Sequence, residues 1–91
     1  MRRGVKLVVY GRVQGVGFRW MTKMVADQLH IVGLATNQDD GSVYIEASGE
    51  EDELNEFIAA IKASPTPSGH VERVEQTTID PQSAFGKFKV N

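Results

Sequence analysis

Three glycines, Gly11, Gly15 and Gly17, stand where the apolar pattern of this chain changes its period, and that junction narrows the folds open to it. Before them, Val5, Leu7 and Val9 share one face of an alternating segment whose β-branched content suits a largely buried strand. After them, Phe18, Met21, Val25 and Leu29 recur at helical spacing, with Arg19, Lys23, Asp27 and Gln28 on the other faces. A strand inside a sheet therefore feeds a helix through a glycine-rich turn.

The rest of the chain repeats this alternation of elements. A short segment from Gly33 to Gln38 and the alternating residues Val43, Ile45 and Ala47 flank Asp39-Asp40-Gly41, which reads as a β-hairpin. Ser48 and Glu51 have the spacing of a capping box, acidic residues crowd the first turn, and Leu54, Phe57, Ile58 and Ile61 form the stripe of a second helix closed by Lys62. Residues 64–69 contain Pro65, Pro67 and Gly69 and are predicted to be a surface loop, because proline blocks both a helix and a central strand. His70 to Ile79 reads as a fourth strand, Asp80-Pro81 as a turn, and Phe85 to Val90 as a short last strand. The order is βαββαβ with a tail strand. Such an order predicts an α+β, ferredoxin-like split-βαβ fold, in which two helices pack on one face of an antiparallel sheet. With 91 residues, the chain is expected to be a single domain over residues 1–91.

Composition removes several function classes. Ten Lys and Arg against twelve Asp and Glu give a formal charge of −2, so no global positive field holds nucleic acid, and anion binding must be local. The absence of cysteine removes disulfides, thiolate metal sites and a cysteine nucleophile, which suits the cytoplasm. The longest apolar run near the start, Leu7 to Tyr10, is too short for a secretion signal or a membrane span. His30 and His70 lie far apart without metal-ligand spacing, and Asp39 and Asp40 beside Gly41 read as turn formers; no metal site is expected.

The chemistry is expected at the first turn. Gly11-Arg12-Val13-Gln14-Gly15-Val16-Gly17-Phe18-Arg19 lets successive backbone N–H groups turn inward at a helix N-terminus, which makes an anion cradle. Arg19 adds a planar, two-pronged donor suited to a phosphoryl group. The turn is not a nucleotide P-loop, since Gly17-Phe18 stands where Lys-Ser/Thr is required, nor a dinucleotide fingerprint, since Trp20 replaces the last glycine. Spacing alone leaves open a second reading, in which the glycines only make a tight connection and Arg19 is solvated.

Residues 11–19 closely resemble the first signature of the acylphosphatase family, and Gly33-Leu34-Ala35-Thr36-Asn37-Gln38-Asp39-Asp40-Gly41-Ser42-Val43 is similar to the second. The resemblance spans Val5 to Val90. The chain departs from the family pattern at Leu34, at Ala35 and at its end, where Lys89-Val90-Asn91 lacks the family's tyrosine. What the resemblance implies is hydrolysis of a small acyl phosphate to carboxylate and inorganic phosphate, with no metal and no organic cofactor. It puts the phosphate on Gln14, Gly15, Val16, Gly17, Phe18 and Arg19, within the turn at residues 13–19, with Arg19 as the binding cation and Asn37 orienting the water. Inorganic phosphate is then both product and competitive ligand, and a cytoplasmic monomer acting without a nucleic acid or membrane partner is expected. Without the resemblance, Asn37 reads as a turn-adjacent hydrogen-bonding residue.

Three rival readings remain. Phe85-Gly86-Lys87-Phe88-Lys89-Val90 superficially matches an aromatic-basic RNA-binding element, although on the last strand rather than the third. The cradle would also serve a phosphate-binding regulatory module without turnover. Finally, the chain would suit a piece of a larger carbamoyl-transfer protein, for which its Met1 start argues less well than for a free-standing enzyme.

Overall fold

The structure, a computed structural model, describes residues 1–82 and 86–91. It contains β1 (Arg2–Arg12), α1 (Phe18–Gln28), β2 (Val32–Asn37), β3 (Val43–Glu50), α2 (Glu51–Lys62), β4 (His70–Ile79) and β5 (Phe88–Val90). The strands form one sheet in the order β4-β1-β3-β2-β5. β1 runs antiparallel to β3 and β4, and β2 antiparallel to β3. The sheet is nonetheless mixed rather than wholly antiparallel, because β5 adds to the β2 edge in parallel, pairing Gly33 with Phe88 and Ala35 with Val90. Phe85, predicted to start this strand, lies outside the described residues.

Alternation decides which face is covered. Val5, Leu7 and Val9 of β1 and Val43, Ile45 and Ala47 of β3 are buried under Leu54, Phe57, Ile58 and Ile61 of α2. Phe88 completes the core, its ring centroid 5.9 Å from that of Phe57. Its burial, at 1% exposed, leaves Phe88 no face on which a base could stack, so the RNA-binding element loses its central aromatic.

Two local expectations are corrected. The buried line of α1 runs through Phe18, Thr22 and Ala26, while Met21, Val25 and Leu29 are only half-buried beside it. Ser48 caps nothing: β3 continues without a loop to Glu50, which is the extended residue preceding α2, and no side chain caps that helix. Ser48 is instead buried in the sheet, where its Oγ accepts the Gln82 N–H at 2.9 Å. The Glu51 N–H donates to the Met1 carbonyl, and Glu51, Asp52 and Glu53 supply the negative charge that favours the first turn. At the hairpin, Asp40 Oδ1 accepts from the Ser42 N–H at 2.9 Å and from the Ser42 hydroxyl at 2.5 Å. These hydrogen bonds favour its ionised form and hold its carboxyl below the usual value. Among the described residues no helix is long and apolar enough to cross a membrane.

Candidate active site

The turn between β1 and α1 owes its shape to two left-handed residues, Gly15 (φ 74°) and Gly17 (φ 76°). A Cβ added at either would meet nothing within 4 Å, so backbone conformation rather than crowding demands glycine, and the space above both is open. An L-residue there costs roughly 1–2 kcal/mol, at the upper end when β-branched. Gly15→Val is therefore expected to lower Tm by several degrees and to weaken phosphate binding. Thermal unfolding with and without phosphate checks this; unchanged stability and affinity would contradict the role given to the turn.

Among the described residues, no backbone N–H from Gln14 to Trp20 has a hydrogen-bond acceptor, and the first amide of the helix to find one is Met21, which donates to the Gly17 carbonyl at 3.0 Å. These donors gather at the positive end of the α1 dipole. Two contacts brace the turn from outside. The Gln14 carboxamide donates to the Gln38 carbonyl at 2.8 Å and to the Ser42 carbonyl at 2.9 Å, tying the turn to the β2–β3 hairpin. The Thr66 hydroxyl donates to the Val16 carbonyl at 3.1 Å.

Arg19 lies in the first turn of α1, half-buried, with no acidic partner among the described residues. One of its Nη atoms donates to the Asn91 carbonyl. Asn91 in turn donates its N–H to the Ala35 carbonyl of β2 at 2.9 Å, so the guanidinium is steadied from the strand that also carries Asn37. Asn37 ends β2 opposite Val43. Its Oδ1 is buried and has no hydrogen-bond partner among the described residues. An acceptor left in that state costs about 1–3 kcal/mol, a cost relieved when a water or substrate donates to it.

Gly15, Gly17, Phe18, Arg19 and Asn37 line one cleft of about 180 Å³, together with Val13, Trp20 and Val90. Gln14 and Val16 do not line it; they hold the turn through the Gln14 side chain and the Val16 carbonyl. Sequence reasoning missed Trp20, Val90, Asn91 and Thr66. A half-exposed tryptophan carries no signal of its own, and the others reach the site through pairings between distant parts of the chain. A larger cavity, of about 420 Å³, lies where α1 ends, beside Asp27, His30 and Lys87. There His30 Nδ1 sits 2.8 Å from Glu53 Oε2. His70 is exposed at the start of β4.

A family model described as Acylphosphatase matches residues 5–90. A protein of Latilactobacillus sakei named Acylphosphatase is 59% identical over 90 residues, covering 99% of this chain and 98% of its own. The crystal structure of acylphosphatase from Bacillus subtilis superposes with a TM-score of 0.91 at 35% identity, covering 100% of this chain and 99% of that one. Full-length HypF, in a phosphate- and nucleotide-bound form, matches at a TM-score of 0.89 and 26% identity, but this chain covers only 12% of it.

Proposed function

The chain belongs to the acylphosphatase family and is an enzyme that hydrolyses acyl phosphates to carboxylate and inorganic phosphate, and we propose that it does so with the cradle, Arg19 and Asn37 as its working parts. The observation that carries this reading is that one cleft brings together backbone N–H groups, an arginine and a buried acceptor, none of which has its usual partner among the described residues.

An acyl phosphate is a mixed anhydride whose carboxylate leaves without being protonated, so the site needs no strong general acid. What remains is positioning and charge. The N–H groups of Gly15, Gly17, Phe18 and Arg19, with the Arg19 guanidinium, hold the phosphoryl oxygens and meet the charge that develops on them, while Gln14 and Val16 keep the turn in shape around them. Asn37 Oδ1 accepts a hydrogen bond from the attacking water and sets it in line with the leaving carboxylate. An amide is no base, so the water's proton passes to an oxygen of the substrate's own phosphoryl group, and the step needs no titrating side chain.

The same reading makes the protein a single-domain cytoplasmic monomer acting on a small acyl phosphate. Among the described residues the exposed large apolar side chains, Met1, Trp20, Met24 and Val90, are few, and Trp20 and Val90 belong to the cleft. Inorganic phosphate is the product, and the same donors bind it in competition with substrate. At ten times its Kd it should stabilise the native state by about 1.4 kcal/mol, which raises Tm by several degrees. Differential scanning fluorimetry with phosphate, set against chloride at equal ionic strength, tests this. A Tm that ignores phosphate would tell against the cradle.

A further inference from the structure

The loop joining α2 to β4 was expected to be a surface connection, yet Thr66 within it is only 6% exposed. Its hydroxyl is committed at both ends. Oγ1 accepts the Ser68 N–H at 3.4 Å and donates to the Val16 carbonyl at 3.1 Å. A hydroxyl has a single proton, so the incoming bond from Ser68 helps to aim that proton at Val16. The backbone behind it is fixed as well. The Thr66 carbonyl accepts from the Ser64 hydroxyl at 2.9 Å and from the Gly69 N–H at 3.2 Å. Pro65 and Pro67 restrict the chain on either side.

The bond matters because of the peptide it holds. In a trans peptide the C=O and the following N–H point in opposite directions, and the described residues contain no cis peptide. Holding the Val16 carbonyl toward Thr66 therefore turns the Gly17 N–H to the opposite side, and Gly17 lines the cleft. Among the described residues no backbone N–H of the turn donates to the Val16 carbonyl. Glycine tolerates both signs of φ, so a peptide next to Gly17 can rotate at little steric cost. We propose that Thr66 is a positioning residue of the phosphate site, which fixes the Val16–Gly17 peptide so that the Gly17 N–H faces the phosphoryl group before substrate arrives. The proposal rests on the reading of residues 14–19 as a phosphate cradle.

The test compares Thr66→Val, which keeps the shape and loses the proton, with Thr66→Ser, which keeps the proton. Steady-state hydrolysis of benzoyl phosphate and its inhibition by inorganic phosphate are measured for both, well below each protein's Tm. Thr66→Val is expected to raise the phosphate Ki about tenfold and to lower kcat/KM by a similar factor, whereas Thr66→Ser stays within about threefold of wild type. Should valine not be accommodated, Thr66→Ala frees the same carbonyl and is read in the same way. A residue that only filled space would lower Tm and leave Ki unchanged, and an unchanged Ki in the valine or alanine protein overturns the proposal. So does a serine variant as weak as the valine one. Arg19→Gln, assayed alongside, separates the two levels of the argument. If it abolishes phosphate inhibition while Thr66→Val does not, only the role of Thr66 fails. If phosphate inhibits the Arg19→Gln protein as strongly as wild type, the cradle reading fails and takes Thr66 with it.

Discussion

Arg19→Gln is expected to lower kcat/KM for an acyl phosphate by about 10³-fold or more while leaving the fold intact. The size follows from what the guanidinium does: among the described residues it is the only side-chain cation lining the cleft, and charge on the transferring phosphoryl group is what this chemistry must meet. Glutamine keeps much of the reach and a polar end but loses the charge and the fork. Stability should change little, because Arg19 is half-buried and its side-chain hydrogen bond among the described residues is the one to the Asn91 carbonyl. Arg19→Lys should recover only part of the loss, since an ammonium cannot bond the Asn91 carbonyl and grip a phosphoryl oxygen in the same planar geometry. Steady-state kinetics with circular dichroism of the folded proteins checks both, and wild-type turnover by Arg19→Gln would exclude the assigned role.

Asn37→Ala should separate catalysis from binding. Losing one aligned polar group at the reacting centre costs about 10²–10³ in kcat. Substrate is held by the turn and Arg19, so KM and the phosphate Ki should stay near wild type. The stability change has an unusual sign. Because Asn37 Oδ1 is buried without a partner among the described residues, its removal deletes an unmet acceptor, and Tm should hold or rise. The remaining activity should keep the wild-type dependence on pH, falling as the substrate becomes its monoanion, because Asn37 titrates nowhere and the proton goes to the phosphoryl group. A variant that loses phosphate affinity and catalysis together would make Asn37 a binding residue instead.

The fold was legible wherever one side chain reports on one face. Val5, Leu7 and Val9 show the covered side of β1 by alternation, and Leu54, Phe57, Ile58 and Ile61 do the same for α2. Legibility failed where pairing outweighs local pattern. Ser48 and Glu51 have capping-box spacing, but the register that sets Ser48 opposite Gly4 and Val32 keeps it in the sheet. In α1 the apolar spacing favoured Met21 and Val25, yet the helix buries the smaller Thr22 and Ala26. The parallel seat of β5 on β2 had no local signal at all, since nothing in three residues tells which edge will take them.

The candidate site divides in the same way. The glycines, Arg19 and Asn37 were readable because chemistry restricts what can stand there: only glycine accepts a φ near 75° cheaply, and a forked cation at a helix N-terminus suits an oxyanion. The groups that aim them were hidden. Gln14 reaches the carbonyls of Gln38 and Ser42, Asn91 reaches Arg19, and Thr66 reaches Val16. Each of these bonds ends on a backbone carbonyl, which every residue type supplies, so no residue type announces the role.

The most direct measurement is phosphate release from benzoyl phosphate in excess EDTA by the wild type, Arg19→Gln and Asn37→Ala, each shown to be folded and each also melted with and without inorganic phosphate. The account predicts turnover by the wild type, loss of both turnover and the phosphate-induced Tm shift in Arg19→Gln, and loss of turnover with the shift retained in Asn37→Ala. Wild-type rates in either variant, or an undiminished phosphate shift in Arg19→Gln, would contradict it.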